Sequence, residues 1–154
     1  MKSNVGGAAS KTRRKRCVSS VEPKLEVRDS SVAAAIFADC FVGLGPEREE
    51  LWALTLGDGD EAGELLWLGG GEERIRIVST MVLLPVLLTG RLSFVLAHNH
   101  PSGDPKPSLS DWTSTAALIE AADSYGLELV DHLVLGGGRY VSMRGRNAAM
   151  FEEL

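Results

Sequence analysis

Apolar and polar positions fall into short runs separated by Gly- and Pro-rich turns. After Pro23, Asp29 or Ser30 can cap a helix through SVAAAIFADCFVG that ends near Gly43. EELWALTLG reads as a strand, GDGDEAGE as a turn and LLWLGG as a second strand, so the three predict a hairpin. GGGEERIRIV holds a Gly-rich turn and room for a short strand. Ser79 or Thr80 can start the helix TMVLLPVLLTG; Pro85 inside it removes a hydrogen bond and predicts a kink or an early break. LSFVLAHNH is a buried strand. SLSDWTSTAALIEAADSYG is a helix with Trp112, Ala116, Ile119 and Ala122 on one stripe, stopped at Gly126. LELVDHLVLGGGRYVSM reads as two strands around the turn Gly136 to Gly138. The order α, β, β, α, β, α, β, β predicts a mixed α/β fold, a sheet flanked by helices.

A chain of 154 residues, 44% of them hydrophobic, suits one domain plus a tail. Residues 1–22 are rich in Ser, Gly, Lys and Arg and read as a basic disordered tail, leaving 23–150 as the domain. The segment from Ile77 to Leu88 is very apolar but too short to span a bilayer. No apolar stretch of a signal peptide follows the basic run. The two cysteines, Cys17 and Cys40, fit neither a disulfide framework nor a Cys-rich zinc site, and the expected compartment is the cytoplasm.

The net charge of −5 hides an asymmetry. Residues 1–21 carry six bases and no acid, and the remainder carries ten bases and 21 acids. An acidic body does not favour phosphate backbones, so any weak DNA contact would come through the basic N-terminal tail.

The chemistry concentrates in FVLAHNHPSGDPKPSLSDW, residues 94–112. Strand side chains alternate, so His98 and His100 share a face with Phe94 and Leu96 at the end of an apolar run. Two imidazoles at i and i+2 suit a zinc ion, and Asp111 can supply a third, charged ligand. Two His and one carboxylate leave a position for water, the arrangement of catalytic sites. A second reading competes for the same carboxylate: Ser108 as N-cap and Asp111 as a first-turn acid. The tripeptide does not make an HNH nuclease, whose name refers to residues dispersed over a ββα unit. Non-haem iron oxygenases usually place H-x-D before a distant His, and here the order is H-x-H before Asp.

H-x-H, ten residues, then Asp, with Ser three before it, resembles the JAMM (MPN+/JAB) metalloprotease signature. The fuller string HNHPSGDPKPS, followed by a helix and LVDHLVLGGGRYVSMR, is similar to the RadC-like branch of that superfamily. The resemblance covers roughly residues 25–145 and is strong over 94–144. It implies a JAMM/MPN-type mixed sheet flanked by helices in a cytidine-deaminase-like layered arrangement. It further implies one zinc per chain held by His98, His100 and Asp111, with Ser108 stabilising an oxyanion. The implied activity is hydrolysis of a peptide, isopeptide or related amide bond in a peptide or protein substrate by metal-activated water.

The family's general base is a Glu on the first strand, and PEREELWALTLG resembles the segment that carries it, which selects Glu49; Glu47 and Glu50 remain open. Glu49, Leu51, Ala53 and Thr55 share one strand face, while Glu50, Trp52, Leu54 and Leu56 share the bulkier one. A core on the bulkier face would leave Glu49 free for a site. Asp131 and His132 match a family D-H pair and are expected to pin the strand by hydrogen bonds. Asn99 is expected to be structural. Two features depart from the family: Val78 to Met81 replace its Pro-Arg-Glu-like helix start, and Pro85 lies inside that helix. The rival to the hydrolase is a non-catalytic RadC-like accessory or interaction module linked to DNA repair.

Overall fold

A computed structural model describes residues 27–152. The basic segment 1–22, and with it any nucleic-acid contact made there, lies outside the described residues. Helix α1 spans Ser30–Ala38 and is followed by a 3-10 turn, Asp39–Phe41. Strands β1 (Glu49–Leu56) and β2 (Ala62–Gly71) form the hairpin. Helix α2 (Ser79–Leu88) precedes β3 (Ser93–Asn99), and α3 (Leu109–Ser124) precedes β4 (Glu128–Gly136) and β5 (Arg139–Ser142). Two short helices, α4 (Met143–Arg146) and α5 (Ala148–Glu152), extend the expected order.

The five strands make one open mixed sheet in the order β2-β1-β3-β4-β5. β3 and β4 run parallel and the other neighbours antiparallel. The parallel pair requires a crossover, and α3 supplies it. Both faces of the sheet are covered. Leu51, Ala53, Phe94, Leu96 and Leu129 face α2 and α3, while Leu54, Leu56, Val95, Ala97 and Val130 face α1. This corrects the expectation that one bulky face of β1 forms the core: Leu51, Leu54 and Thr55 all have no exposure. Truncating Leu51 or Leu54 to Ala at such positions costs about 2–5 kcal/mol.

Several local expectations change for identifiable reasons. Asp29 caps α1, its Oδ1 accepting from Ser31 N at 2.8 Å, but the α-helix stops at Ala38, short of Gly43. The turn of the hairpin is tighter than the Gly- and Asp-rich run suggested, because β2 already begins at Ala62. Residues 72–78 form no strand. Ile75 and Ile77 pack against the core, but the Ile75 N–H donates to a side chain and not to a ladder. Pro85 neither breaks nor shortens α2, which runs on to Leu88 with Val82, Leu83 and Val86 buried.

The buried stripe of α3 is Asp111, Thr115, Leu118, Ile119 and Ala122: Ile119 and Ala122 of the expected stripe are buried, whereas Trp112 is half-buried and Ala116 exposed. In its first two turns the buried positions are one residue earlier than expected, because Asp111 and Thr115 meet histidine partners. Its end follows the expected form: Gly126 has φ of 68° and Leu127 N donates to Ala122 O.

Candidate metal centre

The site forms where β3 ends, β1 begins and α3 starts. Leu51 is paired with His98 across the antiparallel β1–β3 ladder, so Glu49, His98 and His100 project from the α2/α3 side of the sheet. His98 Nε2 lies 3.1 Å from His100 Nε2, 3.4 Å from Asp111 Oδ1 and 3.9 Å from Glu49 Oε1. His100 Nε2 lies 3.2 Å from Asp111 Oδ2. Glu49, His98 and His100 could hold a metal ion, since one ligand atom from each lies within 4.8 Å of the others.

The far nitrogens of both rings are committed elsewhere, which leaves the two Nε2 atoms for the centre. His100 Nδ1 lies 2.8 Å from the Asp104 carbonyl, an acceptor only, so Nδ1 carries the proton. His98 Nδ1 lies 2.8 Å from His132 Nε2, and His132 Nδ1 lies 2.7 Å from Thr115 Oγ1. The Thr115 hydroxyl in turn donates to Met143 Sδ at 3.7 Å. Burial pushes the His132 imidazole well below its ordinary range, so it is neutral. A neutral His132 that donates from Nδ1 to Thr115 accepts at Nε2 from His98 Nδ1. In a neutral His98 this tautomer makes Nε2 the lone-pair atom, the form a metal ligand takes.

Asp111 serves two structures at once. Ser108 Oγ accepts from Asp111 N at 3.0 Å, and Asp111 Oδ2 accepts from Ser108 N at 2.7 Å, a closed capping box. The cap and the approach to the histidines therefore coexist, because a carboxylate has two oxygens and Oδ1 is left facing His98. Burial works to raise this carboxyl, and the adjacent His100 and His98 imidazoles outweigh it, holding it well below the usual carboxylate range. Asp111 likewise raises the His100 imidazole.

Of the three candidate glutamates, Glu49 alone turns toward the histidines. Its Oε2 accepts from Ile75 N at 2.7 Å, which leaves Oε1 facing His98. Glu50 points to the opposite face and is held by Arg48 Nε at 2.9 Å and Trp52 Nε1 at 3.0 Å. Glu47 is exposed at the rim of a cleft of about 280 Å³ that Glu49, His100 and Arg74 also line. A groove of about 660 Å³ reaches His100 from the other side, between α1 and the β4–β5 turn.

The D-H pair splits in role. Asp131 pins the chain after β5: its carboxylate accepts from Ser142 Oγ at 2.6 Å and from Arg144 N at 3.0 Å. Burial raises its carboxyl despite these bonds. His132 does not pin a strand but supports His98. A bulge decides this. Phe94 pairs with Leu129 and Val95 with Asp131, so Val130 is an extra residue. Without it, alternation would send His132 to the α1 side; with it, His132 sits beside Leu96 on the side of His98. Thr115, Ile75 and the contacts of Asn99 escaped the sequence reading. Thr115 carried one signal, its place four residues after Asp111 and so on the same helical face. A main-chain donor such as Ile75 N–H leaves none.

A family model described as "RadC-like JAB domain" matches residues 27–148. The chain belongs to that family. The family's relatives include a UPF0758 protein of Moorella thermoacetica, 51% identical over 55 residues, or 36% of this chain and 24% of the relative. Another, from Roseiflexus castenholzii, is 48% identical over 60 residues, or 39% of this chain and 26% of the relative. A third, from Methanosarcina acetivorans, is 43% identical over 63 residues, or 41% and 28%. The chain thus spans about a quarter of the length of the curated relatives it matches. Among the described residues, no helix is long and apolar enough to cross a membrane.

Proposed function

We propose that this RadC-like JAB domain is a zinc-dependent hydrolase of the JAMM type, cleaving a peptide, isopeptide or related amide bond. The observation that carries the reading is a set of three separations. His98 Nε2 lies 3.1 Å from His100 Nε2 and 3.4 Å from Asp111 Oδ1, and His100 Nε2 lies 3.2 Å from the other carboxylate oxygen, Asp111 Oδ2, so the carboxylate reaches each imidazole through a different oxygen. Ligand atoms about 2.0–2.1 Å from a tetrahedral zinc are separated by about 3.3–3.4 Å. Two neutral imidazole nitrogens and one carboxylate oxygen are also the donor set that zinc takes in catalytic sites. Glu49 lies farther out, 3.9 Å from His98 Nε2, which suits a base better than a ligand.

When bound, zinc supplies a Lewis acid that lowers the pKa of water toward about 7 and polarises a carbonyl. The chain's own groups do the rest. Glu49 Oε1 takes the proton of the attacking water and passes it to the leaving amine. Ser108 uses an oxygen lone pair in the cap, which leaves its O–H free to donate to the carbonyl oxygen as charge develops there.

Metal content is the first test. Purified chain loaded with zinc and dialysed should retain about one zinc per chain. His98→Ala and Asp111→Ala should each release it. Full retention in both variants would overturn the ligand set, and a zinc-loaded chain inert toward peptide, isopeptide and amide libraries would overturn the activity.

A further inference from the structure

We propose that Asn99, the residue between the two histidines, is a positioning residue for Glu49. The inference rests on the reading of Glu49 as the base. Alternation turns Asn99 to the face opposite His98 and His100, so its carboxamide does not reach the centre. It spans two hydrogen bonds instead: Oδ1 accepts from Glu50 N at 2.7 Å, and Nδ2 donates to Arg48 O at 2.9 Å. Arg48 and Glu50 are the two chain neighbours of Glu49. One side chain therefore grips the backbone on both sides of the base.

The β1–β3 register explains the need for this grip. Its pairing stops at Leu51 with His98, so Glu49 and Glu50 have no main-chain partner on β3. On the other side Glu49 pairs with Gly71 and Glu50 with Gly70. β3 cannot continue the ladder, because the chain leaves it at His100 and Pro101 for the loop before α3. A carboxamide carries one acceptor and a donor pair, like a peptide group, and Asn99 extends the ladder by a step with its side chain. Asp in its place would set a carboxylate oxygen against the Arg48 carbonyl, and an apolar residue would leave both main-chain groups unmatched.

The Ile75 N–H completes the arrangement by holding Glu49 Oε2. Asn99 fixes where the residue sits and Ile75 fixes how its carboxylate turns, so Oε1 is directed at His98. A base displaced by about 1 Å loses much of its rate, which gives this double restraint its chemical purpose.

The experiment reads the Ile75 amide by NMR on the zinc-loaded full chain. An N–H bound to a carboxylate resonates downfield and exchanges slowly with solvent. Glu49→Ala defines its position with that bond lost. Asn99→Ala should move the Ile75 amide most of the way to that position and raise its exchange by roughly tenfold, the scale of one lost hydrogen bond. The Leu96 amide in the core should keep its protection. Asn99→Asp keeps the acceptor for Glu50 and loses the donor to Arg48, so it should fall between. A wild-type Ile75 amide in Asn99→Ala would mean that Asn99 only ties strands together. If that variant does not fold, an unmoved Ile75 amide in Asn99→Asp overturns the proposal alone. Turnover enters none of these readouts. A chain that hydrolyses nothing leaves the result standing, and an unmoved amide sinks the role of Asn99 with hydrolysis intact.

Discussion

His132 supports His98 from behind, its Nε2 2.8 Å from His98 Nδ1 on a side chain with no exposure. The bond sets the tautomer and the ring angle of His98, and Thr115 sets those of His132 in turn. His132→Leu removes the acceptor while keeping much of the volume. Zinc affinity should fall about 10–100-fold, the usual cost of losing a partner behind a ligand. Competition against a chelator of known affinity measures it. Unchanged affinity would assign His132 to packing alone.

Glu49→Gln nearly preserves size and removes the proton acceptor. Zinc should stay near one per chain. Turnover on any cleaved substrate should fall by roughly 10²–10⁴. A variant that instead releases zinc would make Glu49 a ligand, as its place in the Glu49, His98 and His100 cluster permits.

Ser108→Ala separates the cap from the chemistry. The capping bond to Asp111 N predicts a loss of about 1 kcal/mol, read by chemical denaturation. A further drop of about 10²–10³ in turnover is expected if the hydroxyl also donates to the developing oxyanion. Lost stability with full turnover would confine Ser108 to the cap.

The pH dependence of stability should carry a mark of Glu128. Arg28 lies 3.1 Å from Glu128, and this partner holds the Glu128 carboxyl below its ordinary value of 4.5. A depressed carboxyl stabilises the fold above its unfolded pKa, and that contribution is lost as pH falls through the lower folded value. The pair is more than one-third exposed, so Glu128→Gln should cost only about 0.5–1 kcal/mol at neutral pH. The gap between variant and wild type should close as pH falls below the ordinary glutamate value of 4.5 and through the depressed folded value, in denaturation curves taken across the acid range. A constant gap would remove the ion pair as its source.

Strand alternation alone placed His98 and His100 on one face, because a period of two needs no partner to be read. The spacing from Ser108 to Asp111 marked a helix start in the same way, since a capping box closes within four residues. The apolar β1 run and the Gly126 stop were legible from local pattern as well. Only family resemblance singles out Glu49 in the sequence; its bulky neighbours do not, because both faces of the sheet are buried. Only the tertiary structure decided what depends on register and on layers. The extra residue Val130 turns His132 toward His98, and no local pattern marks a bulge in an apolar strand. α3 buries Asp111 and Thr115, not Trp112 and Ala116, because those polar groups meet the histidines of another element. Asn99 reaches Arg48 and Glu50, the two neighbours of Glu49, and the Ile75 N–H reaches the Glu49 carboxylate itself, by contacts that exist only once β1, β3 and the loop after β2 have come together.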